Sequence, residues 1–423
     1  MDSFFSKFAL LFTDAQLRGR LLFVLSILAI FRVLAAIPIP GIDAAQLQQF
    51  FNNNQFFGLL NLFSGGGLSN LSIVLLGVGP YITSSIIMQL LTIMVPRLKQ
   101  LYQEEGEIGR QKFSQYSRLI TLPIAILQGI GFLLLLQREA VLPSLSPFQF
   151  GVNVLVISAG SILLMWLGEL ISEFGLGNGV SLIIFAGIVA RLPRSASQLL
   201  FSFDTTQIPT YAGFIIAAIA VVAAVVVVTE AERSVPVTYA KQVRGSRMTT
   251  GGSTYLPLRL NQAGVIPIIF ALSFLLLPQM VATFFQTSSH VWLAHASSVV
   301  LQWLQNLGFY GSIYFILVVL FTYFYTAVTF DPHAIAENLQ KNGAFIPGVR
   351  PGGSTEEYLG KVITRITLVG AIFLGVIAVL PIIMQQFTGI QTLALGGTAL
   401  LIVVSVILDL ARRVDAQISL REY

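Results

Sequence analysis

Three histidines, nineteen carboxylates and no cysteine make up the chemistry-bearing inventory of this 423-residue chain. Without cysteine there is no disulfide, thiol nucleophile or thiolate metal site. His290 and His295 share TSSHVWLAHASS, which reads as a polar outer loop. Their spacing of five keeps them off a common helix face, which argues against a metal site. The third is His333, and no serine sits in a nucleophile-elbow sequence. Glycine-rich GLGNGVS, residues 175–181, follows no strand, so a dinucleotide reading fails its context. It reads as a tight turn between two apolar runs. No Walker motif or phosphate cradle appears.

The carboxylates are placed just as uninformatively for catalysis. Glu169, Glu173 and Asp409 fall near the ends of apolar runs, and Arg32 falls near the far end of the first. None stands at mid-depth, where ion- and proton-coupled transporters keep ionisable groups. The polar residues at depth are neutral: Thr83, Ser84, Ser85, Gln89, Gln128, Asn261, Gln262 and Ser273. Such side chains commonly join helices within a membrane. The inventory points to a protein that is not an enzyme and carries no cofactor.

The elements that hold these residues are membrane spans. Hydrophobic residues make up 55% of the chain and charged residues only 10%. A soluble protein carries roughly a quarter charged residues. The mean hydropathy is +0.81. Ten candidate spans emerge, near 21–38, 72–95, 117–137, 152–172, 179–193, 211–229, 262–281, 311–330, 363–383 and 392–410. About 20 apolar residues are needed to cross, so the fifth is barely long enough. The N-terminal segment lacks the pattern of a cleaved signal peptide.

Basic residues set the orientation. With both termini in the cytosol, twenty of the 24 lysines and arginines fall on cytosolic segments. Arg138, Arg191 and Arg194 fall outside, and Arg32 can snorkel. Two cytosolic loops are long. Residues 230–261 contain PVTYAKQVRG and STYLPLRL around MTTGG, which predicts a protruding β-hairpin. Residues 331–362 contain GAFIPGVRPGG, where Pro347, Gly348, Pro351 and Gly352 hold Arg350 in a stiff turn. Loops of this length point to a docking surface.

One span carries a fault. LSIVLLGVGPYITSSIIMQLL, residues 71–91, is interrupted by Gly77-Val78-Gly79-Pro80, and Gly65-Gly66-Gly67 stands upstream. LSNLSIVLL can form about two helical turns. The stretch predicts a short re-entrant piece, a break, then a longer half. Irregular backbone at membrane depth survives only where protein buries it or where it lines a water-filled cavity. Residues 58–80 should therefore lie inside a ring of helices, as an obstruction in a pore.

Several long motifs, in order, now carry a resemblance. FSGGGLSN, GVGPYITSSIIMQLL, EEGEIGRQKFSQYSR, MWLGELISEFGLGNGVSLIIFAGIVARLP, VTYAKQV, NQAGVIPIIFA, ENLQKNGAFIPGVRPG and LGGTALLIVVSVILDL resemble the bacterial SecY family, the central subunit of the Sec protein translocase. The resemblance implies an all-α membrane fold of ten helices in two pseudo-symmetric five-helix halves, residues 1–200 and 201–423. An hourglass pore would run between them, closed by a re-entrant plug at about 60–76. The plug would include Phe63, Ser64, Gly65, Gly66, Gly67, Leu68, Ser69, Asn70 and Leu71. A constriction ring would comprise Val78, Ile82, Ile184, Ile188, Ile269 and Ile402. Relatives often have isoleucine at the position of Val78.

The resemblance further implies a lateral gate at Thr83, Gln128, Asn261 and Leu277. Docking surfaces would lie at Arg233, Lys241, Arg244, Arg247 and Arg350, although Arg233-Ser234 stands where relatives often carry two basic residues. Expected partners are SecE, SecG, the SecA ATPase, the ribosome, signal-bearing polypeptides and membrane lipids. The chain itself would bind no nucleotide. The expected function is passage of unfolded secretory chains and sideways release of hydrophobic segments, in a plasma or a thylakoid membrane. The rival reading is an ion-coupled transporter of small solutes, with the broken span as a midplane site.

Overall fold

The computed structural model describes residues 14–39, 64, 66–68, 70–103, 105–138, 142–143, 145–190, 193, 197, 208–239, 243–244, 247–248, 252–286, 290–388 and 391–419. Helices dominate. In chain order they are α1 (Ala15–Leu34), α2 (Gly79–Met94), α3 (Pro96–Gln103), α4 (Gly106–Arg138), α5 (Pro147–Phe174), α6 (Gly179–Val189) and α7 (Ile208–Glu230). After strands β1 (Glu232–Tyr239), β2 (Val243–Arg244), β3 (Arg247–Met248) and β4 (Ser253–Arg259) come α8 (Ile266–Phe285), α9 (Val291–Gln305), α10 (Leu307–Thr329) and α11 (Pro332–Lys341). The chain ends with β5 (Ala344–Phe345), α12 (Gly353–Thr388) and α13 (Gln391–Ser419).

Among the described residues, four stretches are long and apolar enough to cross a membrane: Gly106–Gln137, Pro147–Phe174, Leu307–Lys341 and Gly353–Leu380. The pair α2 and α3 adds a fifth, bent by 116° at its break. The bend has a local cause. Val95 precedes a proline and is extended, at φ −116 and ψ 102, because proline's ring crowds a helical residue before it. Helix α6 has 11 residues. At ~1.5 Å per residue it reaches roughly half the bilayer core.

Starts and stops follow the capping residues. Asp14 Oδ1 accepts from Gln16 N at 2.8 Å, opening α1. Ser146 and Gln149 form a reciprocal capping box at the start of α5. Asn178 caps α6 and Asp331 caps α11 through their side-chain oxygens. Each satisfies backbone donors that the first turn leaves open.

The interrupted span differs from the expected broken helix. Residues 70–78 form successive tight turns, not two turns of helix. Their amides are satisfied locally: Ser72 N donates to Gly67 O at 2.8 Å, Leu75 N to Ser72 O at 2.9 Å and Gly77 N to Val74 O at 2.9 Å. Leu71 has φ +41 and Gly77 has φ +60, backbone states that a right-handed helix excludes. Pro80 sits in the first turn of α2, where its missing N–H costs nothing. The proline is thus the start of a helix rather than a kink within one.

The helices α1, α2, α4, α5 and α6 pack largely among themselves, and so do α7, α8, α10, α12 and α13. Contact between these groups runs from α8 to α2 and α4, and from α6 to α13. At one end of the bundle, β4, β1 and β5 form a three-stranded antiparallel sheet. The hairpin read from residues 230–261 is present, with Glu232 opposite Arg259 and Thr238 opposite Ser253. Its unexpected neighbour is β5, which brings the second long loop onto the first: Thr238 pairs with Phe345 and Tyr239 with Ala344. Val235 and Val237 alternate inward and join Leu258, Ala344, Ile346 and Leu359 in one small core.

Residues 290–305 depart from the sequence reading. The stretch taken for a polar outer loop is mostly helix α9, with His290 at its N-cap and His295 within it. Alternating polar and apolar residues hid a helix that is apolar on part of its surface only.

Candidate functional site

The six residues expected to form a ring come from four helices distant in sequence. Val78 and Ile82 belong to the start of α2, Ile184 and Ile188 to α6, Ile269 to α8 and Ile402 to α13. All six are buried, and all belong to a single contiguous apolar cluster. Phe31, Leu164, Val318 and Leu374 extend that cluster outward to α1, α5, α10 and α12. At these six positions the cluster presents only aliphatic side chains. Such a surface offers no directional bond and deforms around different shapes.

Immediately before α2, the turn segment lies buried within the bundle. Ser64, Leu68, Leu71, Ser72, Val74 and Leu75 are each at most 2% exposed. Leu68, Leu71 and Leu75 pack against Phe132, Leu133 and Leu136 of α4 and Val154 and Ile157 of α5. Val74 belongs instead to the large apolar cluster that holds those six residues. The segment is tied to the end of α1 by backbone bonds, from Ile39 N to Leu71 O at 2.8 Å and from Ile73 N to Ile37 O at 3.0 Å. Asn70 Nδ2 donates to Ala35 O at 3.2 Å. Of the expected plug residues, Phe63, Gly65 and Ser69 lie outside the described residues; Gly66 and Gly67 are buried. A side chain at Gly67 would collide with Ser72 Oγ and Val74 O, each 2.8 Å from the Cβ position.

The segment meets α5 without a side-chain hydrogen bond among the described polar atoms that line the contact. Ser72 Oγ, and Ser158 Oγ, Ser161 Oγ and Asn153 Nδ2 on α5, are buried without a hydrogen-bond partner. An unmade bond at a buried polar atom costs about 1–3 kcal/mol. Contacts here are therefore mostly apolar and backbone in kind.

Within the first group of helices, on the side that faces α8, Gln128 Nε2 of α4 donates to Thr83 Oγ1 of α2 at 3.5 Å. The Thr83 hydroxyl in turn donates to Gly79 O at 3.0 Å. Asn261 does not join this pair in any recorded bond. It is buried before α8, beside Gly370 of α12, and its Oδ1 lacks a partner. Leu277 is half-buried on α8. An aromatic set joins α8 to α10: Phe270 and Phe274 each stand 5.9 Å from Phe321, edge to face, and Phe270 lies 6.2 Å from Tyr325. The sequence reading overlooked it. Its signal was there, since 270/274 and 321/325 are each spaced by four, which puts each pair on one helix face.

Ion pairs gather near helix ends. Arg118 Nε meets Glu169 Oε1 at 2.6 Å, joining α4 to α5. Arg412 meets Glu230 at 2.8 Å, joining α13 to the end of α7. On the sheet side, Arg233 is exposed on β1. Lys241 lies outside the described residues, and Arg244 pairs with Arg247 between β2 and β3. Arg350 is exposed in a turn flanked by Gly348 at φ +82 and Gly352 at φ +95. Its carbonyl accepts from the buried Thr355 hydroxyl at 2.9 Å. Nearby, Lys341 Nζ meets Glu337 Oε1 at 2.7 Å, one turn apart on α11.

Taken together, these elements define a helical membrane protein with a buried apolar cluster shared by two groups of helices and a buried non-helical segment beside it. Comparison with known proteins agrees. A family model named SecY matches residues 72–411. The protein translocase subunit SecY of Mycobacterium bovis is 42% identical over 429 residues, covering 96% of each chain. A solved structure described as that of a protein conducting channel superposes with a TM-score of 0.62 at 19% identity, covering 93% of this chain and 90% of its own. Sec61 in the canine ribosome-channel complex from the endoplasmic reticulum gives a TM-score of 0.59 at 18% identity, covering 93% and 90%. The chain belongs to the SecY family. This membership displaces the small-solute transporter as a reading.

Proposed function

We propose that this chain is the protein-conducting subunit of a Sec-type translocase. It passes unfolded polypeptides across a membrane. The observation that carries the mechanism is the convergence of Val78, Ile82, Ile184, Ile188, Ile269 and Ile402 in one buried cluster. A conduit for any sequence cannot rely on specific hydrogen bonds. A ring of aliphatic side chains closes by dewetting when empty and yields around bulky or small residues when occupied.

In this reading the chain has ten spans in two halves, 1–200 and 201–423, around an hourglass pore. The segment at about 60–76 is the plug, and its described turns pack beside the ring. Its apolar packing on α4 and α5 offers no directional side-chain bond to break, which suits a part that must leave. The seam between α8 and the pair α2 and α4 is the lateral gate. The Thr83–Gln128 bond holds α2 to α4 on one side of that gate and is of the uncharged interhelical kind, worth about 0.6 kcal/mol on average, while the contacts named from α8 are mostly apolar and aromatic. A stretch of ~20 apolar residues gains far more by entering lipid. Hydrophobic segments therefore leave sideways, while polar ones continue through.

The chain supplies no energy. SecA or a translating ribosome docks on the face formed by the β-hairpin, β5 and the Arg350 turn, with both chain termini on that cytoplasmic side of a plasma membrane. SecE and SecG complete the complex. The test is reconstitution in vesicles with SecA, ATP and an unfolded precursor. Protease-protected precursor inside the vesicles is expected. Ion-driven accumulation of a small solute, without any protein transport, would overturn the reading.

A further inference from the structure

Helix α9 carries an apolar face that the fold leaves uncovered. At about 100° per residue, Trp292, Ala296, Val299, Val300 and Trp303 share one sector, the two tryptophans within about 20° of each other; both tryptophans and Val300 are exposed, and Ala296 and Val299 half-buried. Trp292 is 76% exposed and Trp303 59%. The flank next to it turns inward, with Ser297 buried and Leu293 and Leu304 half-buried. His295 and Gln302, both exposed, form a third, polar sector. The helix's position is fixed by its neighbours. Asn306 alone separates it from the membrane-crossing α10, whose first turn it caps through Gly308 N and Phe309 N. The Trp303 ring stands 5.3 Å from the Phe309 ring, at the level where α10 begins.

We infer that α9 lies in the plane of the bilayer interface, at the end of the bundle opposite the β-sheet, with Trp292 and Trp303 set among lipid headgroups and upper acyl chains. The occupant of this face is lipid because the face continues onto a membrane-crossing helix one residue away. The indole body is apolar and its N–H polar, which suits that boundary. A helix divided into apolar and polar exposed sectors is the form that lies on a membrane. The consequence is mechanical. α9 packs on α8 and connects to α10, so its anchoring fixes the depth of the two helices joined by Phe270, Phe274 and Phe321. This rests on the membrane-channel reading above.

The chain has three tryptophans, which makes a direct test simple. The full chain is reconstituted in phosphatidylethanolamine–phosphatidylglycerol vesicles as three single-tryptophan forms: W166F/W303F, W166F/W292F and W292F/W303F. Trp292 and Trp303 should lose most of their emission to lipids brominated near the carbonyl end of the acyl chains, lose less to deeper bromines and respond little to aqueous iodide. Quenching by iodide but not by lipid would place the face in water and overturn the inference. Protection from both quenchers would mean that protein covers the face, which also overturns it. Trp166, exposed on α5, reports insertion separately. If brominated lipid fails to quench Trp166, the membrane reading fails, and this inference fails with it.

Discussion

Gly160 of α5 and Ile73 of the buried turn segment meet backbone to backbone: a Cβ at Gly160 would overlap the Ile73 carbonyl oxygen and crowd Val74. The turn segment can sit this deep only because α5 has no side chain there. Gly160→Val should therefore unseat it. Overpacking of this kind costs about 1–3 kcal/mol. Ion leak through reconstituted vesicles should rise and the thermal midpoint should fall. A variant with the parent's leak and midpoint would show that the segment does not rest on α5.

The aliphatic cluster makes a separate claim. Ile82→Asn or Ile269→Asn puts an amide into a buried apolar cluster, and water entering the cluster would satisfy it. Conductance across planar bilayers should increase, and precursors with weakened signal sequences should be exported more readily. Unchanged conductance in both variants would remove the ring from the mechanism.

At the seam, the bond between Thr83 and Gln128 should be weak. A double-mutant cycle of Thr83→Val and Gln128→Leu is expected to give a coupling below about 1 kcal/mol in thermal unfolding. The chain contains no cysteine, so a pair introduced at Thr83 and Leu277 supplies its only thiols. They should crosslink in the resting state. Absence of a crosslink, with both thiols shown to be reactive, would discredit the contact of α2 with α8 as a closed gate.

Arg350 is exposed, while the turn that carries it is fixed by Thr355 and two left-handed glycines. If Arg350 serves the proposed docking of SecA, Arg350→Glu should reduce SecA-driven export more than insertion of membrane proteins. Thr355→Val removes one buried hydrogen bond, worth about 1 kcal/mol, and should weaken export in the same direction but less. Equal losses of export and insertion would point to general unfolding instead.

Val237 lies at the shared edge of both long loops, 2% exposed between β4 and β5. Val237→Asp buries a carboxylate without a partner, at a cost of several kcal/mol. Limited proteolysis should then cut in both 230–261 and 331–362. Cleavage confined to the first loop would show that β5 holds without β1.

The sequence determined the elements. Apolar runs, capping residues, Pro96 and Pro80 fix where helices start and bend, because these effects act within a few residues. PVTYAKQVRG and STYLPLRL made the hairpin legible for the same reason. Hydropathy misread the start of the interrupted span, where Leu71 takes a left-handed conformation to meet Ile39, and it misread α9, whose amphipathic faces become visible only once the protein covers one of them.

Only the tertiary structure decided what those elements enclose. Val78 and Ile402 are each ordinary apolar residues, and nothing local marks either for a shared cluster. Their meeting depends on how α2, α6, α8 and α13 pack. The sewing of β5 onto β1 depends likewise on contacts between distant segments. Burial is non-directional, so sequence specifies that such side chains leave water, while packing geometry selects which of them face one another.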